Sequence, residues 1–224
     1  MPPTIIDAYL EKYKQLIIVI SGMSGSNKSD VANEIMDLVN KTNKCKHINQ
    51  SNYMNKDFEE IIEINDKKIR VWDTDEAIDW LAFNNSVKEE LVGTKILIIS
   101  GVSFNKDKID FRVDYHIHLK LSKQQLLEKR NEFIERHSKE DAYKEMNNLD
   151  DETKKTLFNK YTFPYYLKTT ENSIINKFLN INEMQLDDII RETFNLVIQF
   201  IENKVYHHRK DMKYNEEKKT YDYL

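Results

Sequence analysis

Two short runs of consecutive apolar residues, Leu16–Ser21 and Lys95–Ser100, dominate the hydrophobic pattern of the chain. Continuous apolar runs rich in β-branched residues are typical of strands that are buried on both faces of a parallel sheet. Apolar residues also recur at helical spacing over Ser29–Asn40 and Glu183–Val205, which predicts amphipathic helices. Strands that alternate with helices in this way predict an α/β fold with a mostly parallel sheet.

Shorter patterns predict the remaining elements. We expect strands at Cys45–Asn49 and Val113–Leu121, a β-hairpin within Glu59–Trp72, and helices at Asp75–Leu91 and Lys123–Met146, the second capped by Ser122. The chain is polar after residue 205, which predicts a loose tail. At roughly 150 residues per domain, 224 residues form one domain, or at most two small ones.

Composition and charge exclude several classes of protein. The 34 basic and 38 acidic residues give a formal net charge of -4, which argues against a dedicated nucleic-acid binder. The single cysteine, Cys45, excludes an internal disulfide framework. No apolar run approaches the ~18 residues that span a bilayer, and residues 1–16 lack the pattern of a signal peptide. We therefore expect a cytoplasmic protein that does not bind membranes.

Glycine is informative because it is scarce. The chain contains 4 glycines, where average usage of about 7% would give roughly 16. Two of them, Gly22 and Gly25, lie in one turn-rich segment between the first apolar run and the helix that follows. In a chain so poor in glycine, this pair indicates a requirement of the backbone.

The segment around these glycines nearly matches the phosphate-binding pattern G-x-x-x-x-G-K-[ST]. Such a loop turns backbone N–H groups toward phosphate oxygens, and the next helix aims its N-terminus at the same anion. We predict that eight residues bind the phosphates of ATP: Gly22, Met23, Ser24, Gly25, Ser26, Asn27, Lys28 and Ser29. Lys28 would contact the β- and γ-phosphates, and the hydroxyl of Ser29 would bind Mg²⁺.

Asn27 stands where the pattern has its second glycine. Asparagine is one of the few residues with a side chain that readily adopts a positive φ, so the loop can keep its shape. The alternative is an ordinary turn between strand and helix with a chance lysine. The buried strand before the loop, the helix after it and the concentration of scarce glycine favour a phosphate loop.

Beyond this loop the chain resembles the P-loop kinases of the uridine kinase and nicotinamide-riboside kinase group. Five segments carry the resemblance, and they occur in the same order as in that family. Asn49–Tyr53 is similar to its Gln-Asp-x-Phe-Tyr motif, Trp72–Asp79 to its Phe-Asp-His-Pro-Asp-Ala-Phe-Asp stretch, and Ile98–Val102 to its Phe-Glu-Gly-Ile strand end. Leu126–Arg136 is similar to its arginine-bearing lid helix, and Tyr161–Leu167 to its Pro-Tyr segment near the nucleobase. The resemblance runs from about Leu16 to Lys168 and implies a P-loop NTPase fold with a small helical lid at about residues 122–170. We expect the domain to cover residues 1–205, before the polar tail at 206–224.

The resemblance also reveals two missing carboxylates. In that family an Asp at the position of Ser51 acts as the base toward the nucleoside 5′-hydroxyl, and a Glu at the position of Ser100 helps to bind Mg²⁺. A serine replaces neither group near neutral pH. Asp57, which follows Ser51 closely in the sequence, is an alternative base, and a loss of activity is the other alternative.

Three further residues receive roles from the resemblance. Asp73 matches the ligand of the ribose hydroxyls and could also replace the missing base, although an acidic residue here also suits a helix N-terminus. Arg130 and Arg136 match arginines that stabilise charge on the transferred phosphoryl group. On one straight helix they point about 120° apart, so the helix would have to break for them to converge. Their alternative is a solvated, charged helix face.

Two groups of side chains have weaker functional interpretations. His116 and His118 alternate along a predicted strand and should point to one face, which would supply half of a metal site. The aromatic residues of Tyr161–Leu167 could stack on a nucleobase, but such clusters are more often part of the packing.

The sequence therefore predicts ATP-dependent phosphorylation of a nucleoside or a similar small hydroxyl compound. The predicted catalytic residues are Lys28, Asp73, Arg130 and Arg136, with Mg²⁺ on Ser29. The alternative is a catalytically degenerate P-loop protein that binds nucleotide or a partner in a regulatory role. Expected ligands are a nucleotide and a nucleoside-like acceptor, and a homo-oligomer remains open.

Overall fold

A computed structural model describes residues 4–40, 44–55 and 57–221, with side chains for all of these except residues 40, 141, 142 and 207–221. The strands of this part of the chain are β1 (Leu16–Ser21), β2 (Cys45–Asn49), β3 (Ile61–Ile64), β4 (Lys67–Arg70), β5 (Ile96–Gly101), β6 (Tyr115–Lys120) and β7 (Lys177–Asn180). Five of them form a parallel sheet in the order β2-β5-β1-β6-β7, and β3 and β4 form a separate antiparallel hairpin. The predicted parallel sheet and hairpin are therefore confirmed.

Helices flank the sheet. They are α1 (Ile5–Tyr13), α2 (Lys28–Asn40), α3 (Trp80–Gly93), α4 (Lys123–Arg136), α5 (Asp141–Asn147), α6 (Asp151–Leu157), α7 (Phe163–Glu171) and α8 (Leu186–Tyr221). Short 3₁₀ turns cover Gln50–Tyr53 and Asp75–Ala77, and a π-helical turn over Phe158–Thr162 joins α6 to α7. None of the helices in the described residues is long and apolar enough to cross a membrane.

The central strand β1 is buried on both of its faces. Ile18 and Ile20 belong to a cluster with side chains of α1, α2 and α8, whereas Ile17 and Val19 pack with Phe83 of α3 on the other face. Each β-strand turns successive side chains to opposite faces, so a strand between two helical layers needs apolar residues at every position. This requirement explains the continuous apolar run that predicted β1.

A third apolar cluster lies between the hairpin and the helices that follow β6. Its buried members are Ile64 of β3, Ile69 of β4, Ile134 of α4, Met146 of α5 and Leu157 of α6. The turn of this hairpin has positive φ at both Asn65 and Asp66, as a two-residue type I′ turn requires. The hairpin is thus attached to the region predicted as the lid.

Two predicted helix boundaries in the middle of the chain were wrong. The helix expected over Lys123–Met146 ends at Arg136, and the chain makes a turn before α5. The helix expected from Asp75 begins at Trp80, because the side chain of Asp79 accepts the N–H of Ala82 and caps α3 there.

The C-terminal helix is longer than expected. It continues to Tyr221, so residues 206–221 are helical instead of a loose tail, and residues 222–224 lie outside the described residues. The sequence also gave no prediction of α1 or β7, and its domain boundary at residue 205 stays a prediction.

Candidate active site

The candidate site lies at the carboxyl ends of β1, β2 and β5, where ligands bind in open parallel sheets. A cavity of about 570 Å³ opens there. Its walls come from the loop after β1, from residues 49–52 after β2, from residues 101–103 after β5, and from α4 and α5. The sheet therefore brings together three loop segments that are far apart in the sequence.

The loop after β1 has the backbone that a phosphate loop requires. Gly25 and Asn27 have φ angles of 90° and 57°, so the predicted positive φ of Asn27 is confirmed. Helix α2 begins at the next residue, Lys28, and directs its N-terminus at the cavity. Of the eight predicted residues, six line the cavity, and Gly22 and Ser26 are buried behind it.

Lys28 is the cation of this loop. Its Nζ donates to the carbonyl oxygen of Met23 at 3.5 Å, so the side chain folds back along the loop. Burial lowers the pKa of Lys28 to about 8, and the carboxylates of Asp30 and Asp73 oppose this shift. An anion bound in the loop would raise the pKa of this ammonium group again, because it favours the charged form.

Ser29 lies in a network without a carboxylate. Its Oγ accepts from Nδ2 of Asn49 at 3.1 Å and lies 3.4 Å from Oγ of Ser100. Ser100 in turn lies 2.8 Å from Nε2 of His47. A hydroxyl group thus occupies the position at the end of β5 where the resemblance implies a carboxylate.

The residues present fit a magnesium–nucleotide complex better than a free metal ion. Within the described residues, no group of three or more His, Cys, Asp or Glu side chains could hold a metal. Mg²⁺ in kinases usually takes one or two protein oxygens and receives its other ligands from phosphates and water. The Ser29 hydroxyl, at the start of α2 and beside Lys28, suits that role.

Two of the predicted catalytic residues bind each other. Nη2 of Arg130 donates to Oδ2 of Asp73 at 2.6 Å, and Oγ1 of Thr162 donates to the same oxygen at 3.0 Å. The side chain of Arg130 is 3% exposed and that of Asp73 is 16% exposed. The structure therefore places Arg130 in a mostly buried ion pair, although both residues also line the cavity.

Arg136 lies at the other end of the lid helix. It is the last residue of α4, is exposed, and its Nε donates to the carbonyl oxygen of Glu132 at 3.3 Å. The helix breaks after Arg136 rather than between the two arginines, yet both line the cavity. Convergence of the two arginines on one phosphoryl group therefore stays a prediction, since Arg130 is paired with Asp73 and Arg136 is exposed.

Asp57 and Asp73 are the two candidates to replace the base that is missing at Ser51, and they differ in position. Ser51 lines the cavity after β2, and its backbone N–H donates to Oδ1 of Asn49. Asp57 is exposed and is absent from the cavity walls, so the structure does not support Asp57 as the base. Asp30 and Asp73 are both carboxylates that line the cavity and act on the charge of Lys28, and Asp73 is the one of these two that the resemblance matches to the acceptor side.

Sequence reasoning missed Asp75 as a functional candidate. This carboxylate is 6% exposed, lines the cavity and accepts from Nδ2 of Asn105 at 2.9 Å. Burial raises the pKa of Asp75, and the hydrogen bond from Asn105 opposes that effect. Its place in the segment Trp72–Asp79, which resembles the family motif, is the signal in the sequence that points to it.

Aromatic side chains form part of the cavity wall. Trp72, Trp80, Tyr165 and Tyr166 line the cavity, whereas Tyr161 and Phe163 of the predicted aromatic segment do not. Nε1 of Trp80 donates to the backbone carbonyl oxygen of Asp75 at 2.6 Å, which ties the indole ring to the backbone of this segment. The far end of the cavity thus combines aromatic faces with a buried carboxylate.

The paired histidines of β6 are structural. As predicted they share one face, because Nε2 of His116 and Nδ1 of His118 both lie within 2.7 Å of Oγ of Ser21. Their other ring nitrogens bond to the carbonyl oxygen of Ile174 and to the hydroxyl of Tyr166. All four ring nitrogens are therefore hydrogen-bonded, which excludes the half metal site in this arrangement.

Comparison with known proteins supports the fold. No protein-family model and no curated protein matches the chain. A gluconokinase from Sinorhizobium meliloti 1021 is similar in structure, with a TM-score of 0.50 and 14% sequence identity over 86% of this chain and 97% of that chain. The chain has a P-loop NTPase fold. A protein named as a fructose transport system kinase from Silicibacter sp. TM1040 matches with a TM-score of 0.49 and 11% identity, over 79% of this chain and 99% of that one.

Proposed function

We infer that the protein transfers the γ-phosphoryl group of ATP to a hydroxyl group of a small acceptor, and that the acceptor is a nucleoside or a similar neutral compound. One observation carries this proposal: a single cavity contains the phosphate loop with Lys28 and, in what we call the acceptor wall, Asp73 and Asp75 together with Trp72, Trp80, Tyr165 and Tyr166. Phosphoryl transfer to an alcohol needs a phosphate cradle and a group that orients the incoming hydroxyl.

In the proposed reaction the acceptor oxygen bonds to the γ-phosphorus, the bond from that phosphorus to the β,γ-bridging oxygen breaks, and ADP leaves. Oδ1 of Asp73 takes the acceptor's proton, since Arg130 and Thr162 both bond to Oδ2. Lys28 and the loop N–H groups hold the β- and γ-phosphates. Bound Mg²⁺ would neutralise negative charge on the phosphates.

The electrostatic surroundings distinguish the two carboxylates. Asp73 acts on the charge of Lys28, which supports a position for Asp73 at the phosphate end. The charges that act on Asp75 are those of Glu76, Lys108 and Lys168, which supports a position farther along the acceptor wall. We therefore assign the proton to Asp73 and the binding of acceptor hydroxyl or amino groups to Asp75.

A neutral acceptor fits this wall better than an anion does. Carboxylates accept hydrogen bonds from hydroxyl and amino groups but repel a sugar acid such as gluconate. The aromatic faces of Trp80 and Tyr165 beside Asp75 offer contact area for a flat ring. These features favour a nucleoside.

A second candidate function is nucleotide binding without catalysis. The observation in its favour is the ion pair between Asp73 and Arg130, which engages two of the predicted catalytic groups with each other. In this alternative the serines at positions 51 and 100 reflect lost catalytic carboxylates.

ADP release from Mg·ATP tests the proposal, measured with a panel of nucleosides, fructose and gluconate. We expect turnover with a nucleoside, and a fall in kcat of at least about 100-fold in Lys28→Ala. Asp73→Asn should lower kcat by about 10²–10⁴-fold, with circular dichroism to show that the variant folds. Turnover with fructose or gluconate but with no nucleoside would support phosphoryl transfer and contradict the proposal of a nucleoside acceptor. ATP binding without turnover on any acceptor would favour the second candidate.

A further inference from the structure

A chain of hydrogen bonds connects the Ser29 hydroxyl to β2 and α2. It runs from Ser29 to Ser100 (3.4 Å), from Ser100 to Nε2 of His47 (2.8 Å), and from Nδ1 of His47 to Oδ1 of Asn33 (2.7 Å). Ser100 is fully buried at the end of β5. The family carboxylate is therefore replaced by a connected set of neutral groups.

The donor and the acceptor of each hydrogen bond in this series follow from Asn33, the acceptor at its far end. A carbonyl oxygen of an amide only accepts, so Nδ1 of His47 carries the proton that bonds to Asn33. In a neutral imidazole the other nitrogen, Nε2, then accepts the proton of Ser100. In this arrangement Ser100 has no second proton to give, so the Ser29 hydroxyl is the donor in its 3.4 Å contact with Ser100.

The opposite side of Ser29 is also fixed. Nδ2 of Asn49 donates to Oγ of Ser29 at 3.1 Å, and Oδ1 of Asn49 accepts from the backbone N–H of Ser51 at 3.1 Å, which sets the orientation of the amide. The Ser29 oxygen thus gives its proton to Ser100 and one lone pair to Asn49. Its second lone pair remains for a ligand in the cavity that Ser29 lines.

We propose that Ser100 and His47 are positioning residues that do the work of the missing carboxylate. They accept the Ser29 proton and so hold the remaining lone pair of Ser29 toward the divalent cation of a metal–nucleotide complex. The inference rests on the proposed function only in requiring nucleotide in the phosphate loop. Outer groups that orient a metal ligand commonly affect metal affinity by about 10–100-fold.

The chain of neutral groups has a consequence for the metal. It adds no negative charge beside Ser29, so this network gives a divalent cation no attraction in the empty protein. The nearby carboxylates of Asp30 and Asp73 already interact with the ammonium group of Lys28. We expect Mg²⁺ to bind together with the nucleotide and to bind negligibly alone.

The test is isothermal titration calorimetry of ADP with the full-length protein, in Mg²⁺ and in EDTA. In Ser100→Ala and His47→Leu, the Mg²⁺ concentration that gives half of the gain in ADP affinity should rise by about 10-fold or more. The Kd for ADP in EDTA should stay unchanged. His47→Gln should retain most of the Mg²⁺ effect, because its side-chain carbonyl can accept from Ser100. Ser86→Ala, on α3 and outside the cavity walls, is the matched serine control.

A double-mutant cycle identifies the path of the effect. If Ser100 acts through Ser29, then removing Ser100 should have no further effect once Ser29 is gone. The gain in ADP affinity from Mg²⁺ should therefore be the same in Ser29→Ala/Ser100→Ala as in Ser29→Ala. An unchanged Mg²⁺ dependence in both Ser100→Ala and His47→Leu would overturn the inference and leave the proposed function standing. Equal losses in Mg²⁺ and in EDTA would overturn it in favour of a structural role. Failure of the wild-type protein to bind any adenine nucleotide would overturn both.

Discussion

Asn27 shows how a departure from a motif can keep its geometry. The phosphate-loop pattern has glycine at this position because the backbone must adopt a positive φ there. Asn27 has a φ of 57°, within the left-handed region that asparagine tolerates better than other residues with a side chain. The residue therefore meets the conformational requirement that the motif encodes.

Substitution of Asn27 should follow this conformational requirement. Asn27→Gly should leave the free energy of unfolding within about 0.5 kcal/mol, because glycine adopts the same φ without strain. Asn27→Ala should cost about 1 kcal/mol relative to glycine, because Cβ opposes the left-handed region. Urea unfolding of the two variants measures the difference. Equal stability of the alanine and glycine variants would contradict the argument.

Lys28 should make nucleotide binding sensitive to pH on the alkaline side. Burial lowers its pKa to about 8 in the free protein, and bound phosphates would raise that pKa. Below pH 8 the ammonium group is already charged, so affinity should be constant there. Above pH 8 binding requires proton uptake, so the Kd for ADP should rise by up to about tenfold per pH unit.

Calorimetry across this pH range tests the prediction. Lys28→Arg provides the control, because a guanidinium group stays charged throughout the range. A flat pH profile in the wild-type protein, or the same slope in Lys28→Arg, would rule out Lys28 as the titrating group.

The contact between α4 and the phosphate loop depends on a glycine. A Cβ atom placed on Gly25 would meet the backbone carbonyl carbon of Lys129 at 2.6 Å, and the φ of Gly25 is +90°. Both observations require glycine, one for close approach and one for backbone conformation. The lid helix therefore rests directly on the loop that is proposed to bind phosphates.

Gly25→Ala should separate α4 from this loop. We expect faster amide hydrogen exchange across residues 123–136 and weaker ADP binding, with little change in exchange of β1 and β5. Gly93→Ala is the matched control, because a Cβ atom there meets nothing within 4 Å. Alanine is also favoured over glycine in a helix by up to about 1 kcal/mol, so this variant should not lose stability. Unchanged exchange in α4 of the Gly25 variant would show that the contact is not required.

Elements buried on both faces were the ones that the sequence predicted best. The continuous run of β1 needs apolar side chains toward both helical layers, so its pattern is unambiguous. Strand β7 lies at the edge of the sheet, where Phe178 is 51% exposed, and it carries no comparable pattern. The phosphate loop was predictable because one contiguous segment forms it. The ion pair between Asp73 and Arg130 was not, since it joins residues 57 positions apart.

At the scale of the whole molecule, two buried histidines, His116 and His118, and the partly buried His47 lie close to the candidate site. Burial lowers the pKa of His47 and His116 to about 4 and that of His118 to about 3. His116 and His118 connect β6 to β1 through Ser21, the residue before the phosphate loop, and to Tyr166 of the acceptor wall. Their neutral forms thus hold together the sheet edge from which the site is built.

This arrangement predicts a loss of stability in mild acid. In the unfolded chain these histidines titrate near pH 6.5, so between that pH and about 4 the unfolded state binds more protons than the folded state. The stabilisation is complete above pH 6.5 and decreases as the pH falls, by up to about 1.4 kcal/mol per pH unit for each histidine. Urea unfolding between about pH 7 and about pH 5 measures this slope. His118→Gln should lower stability at every pH but reduce the slope, because one proton-binding group is removed from the unfolded state. An undiminished slope in that variant would mean that the acid sensitivity comes from other groups.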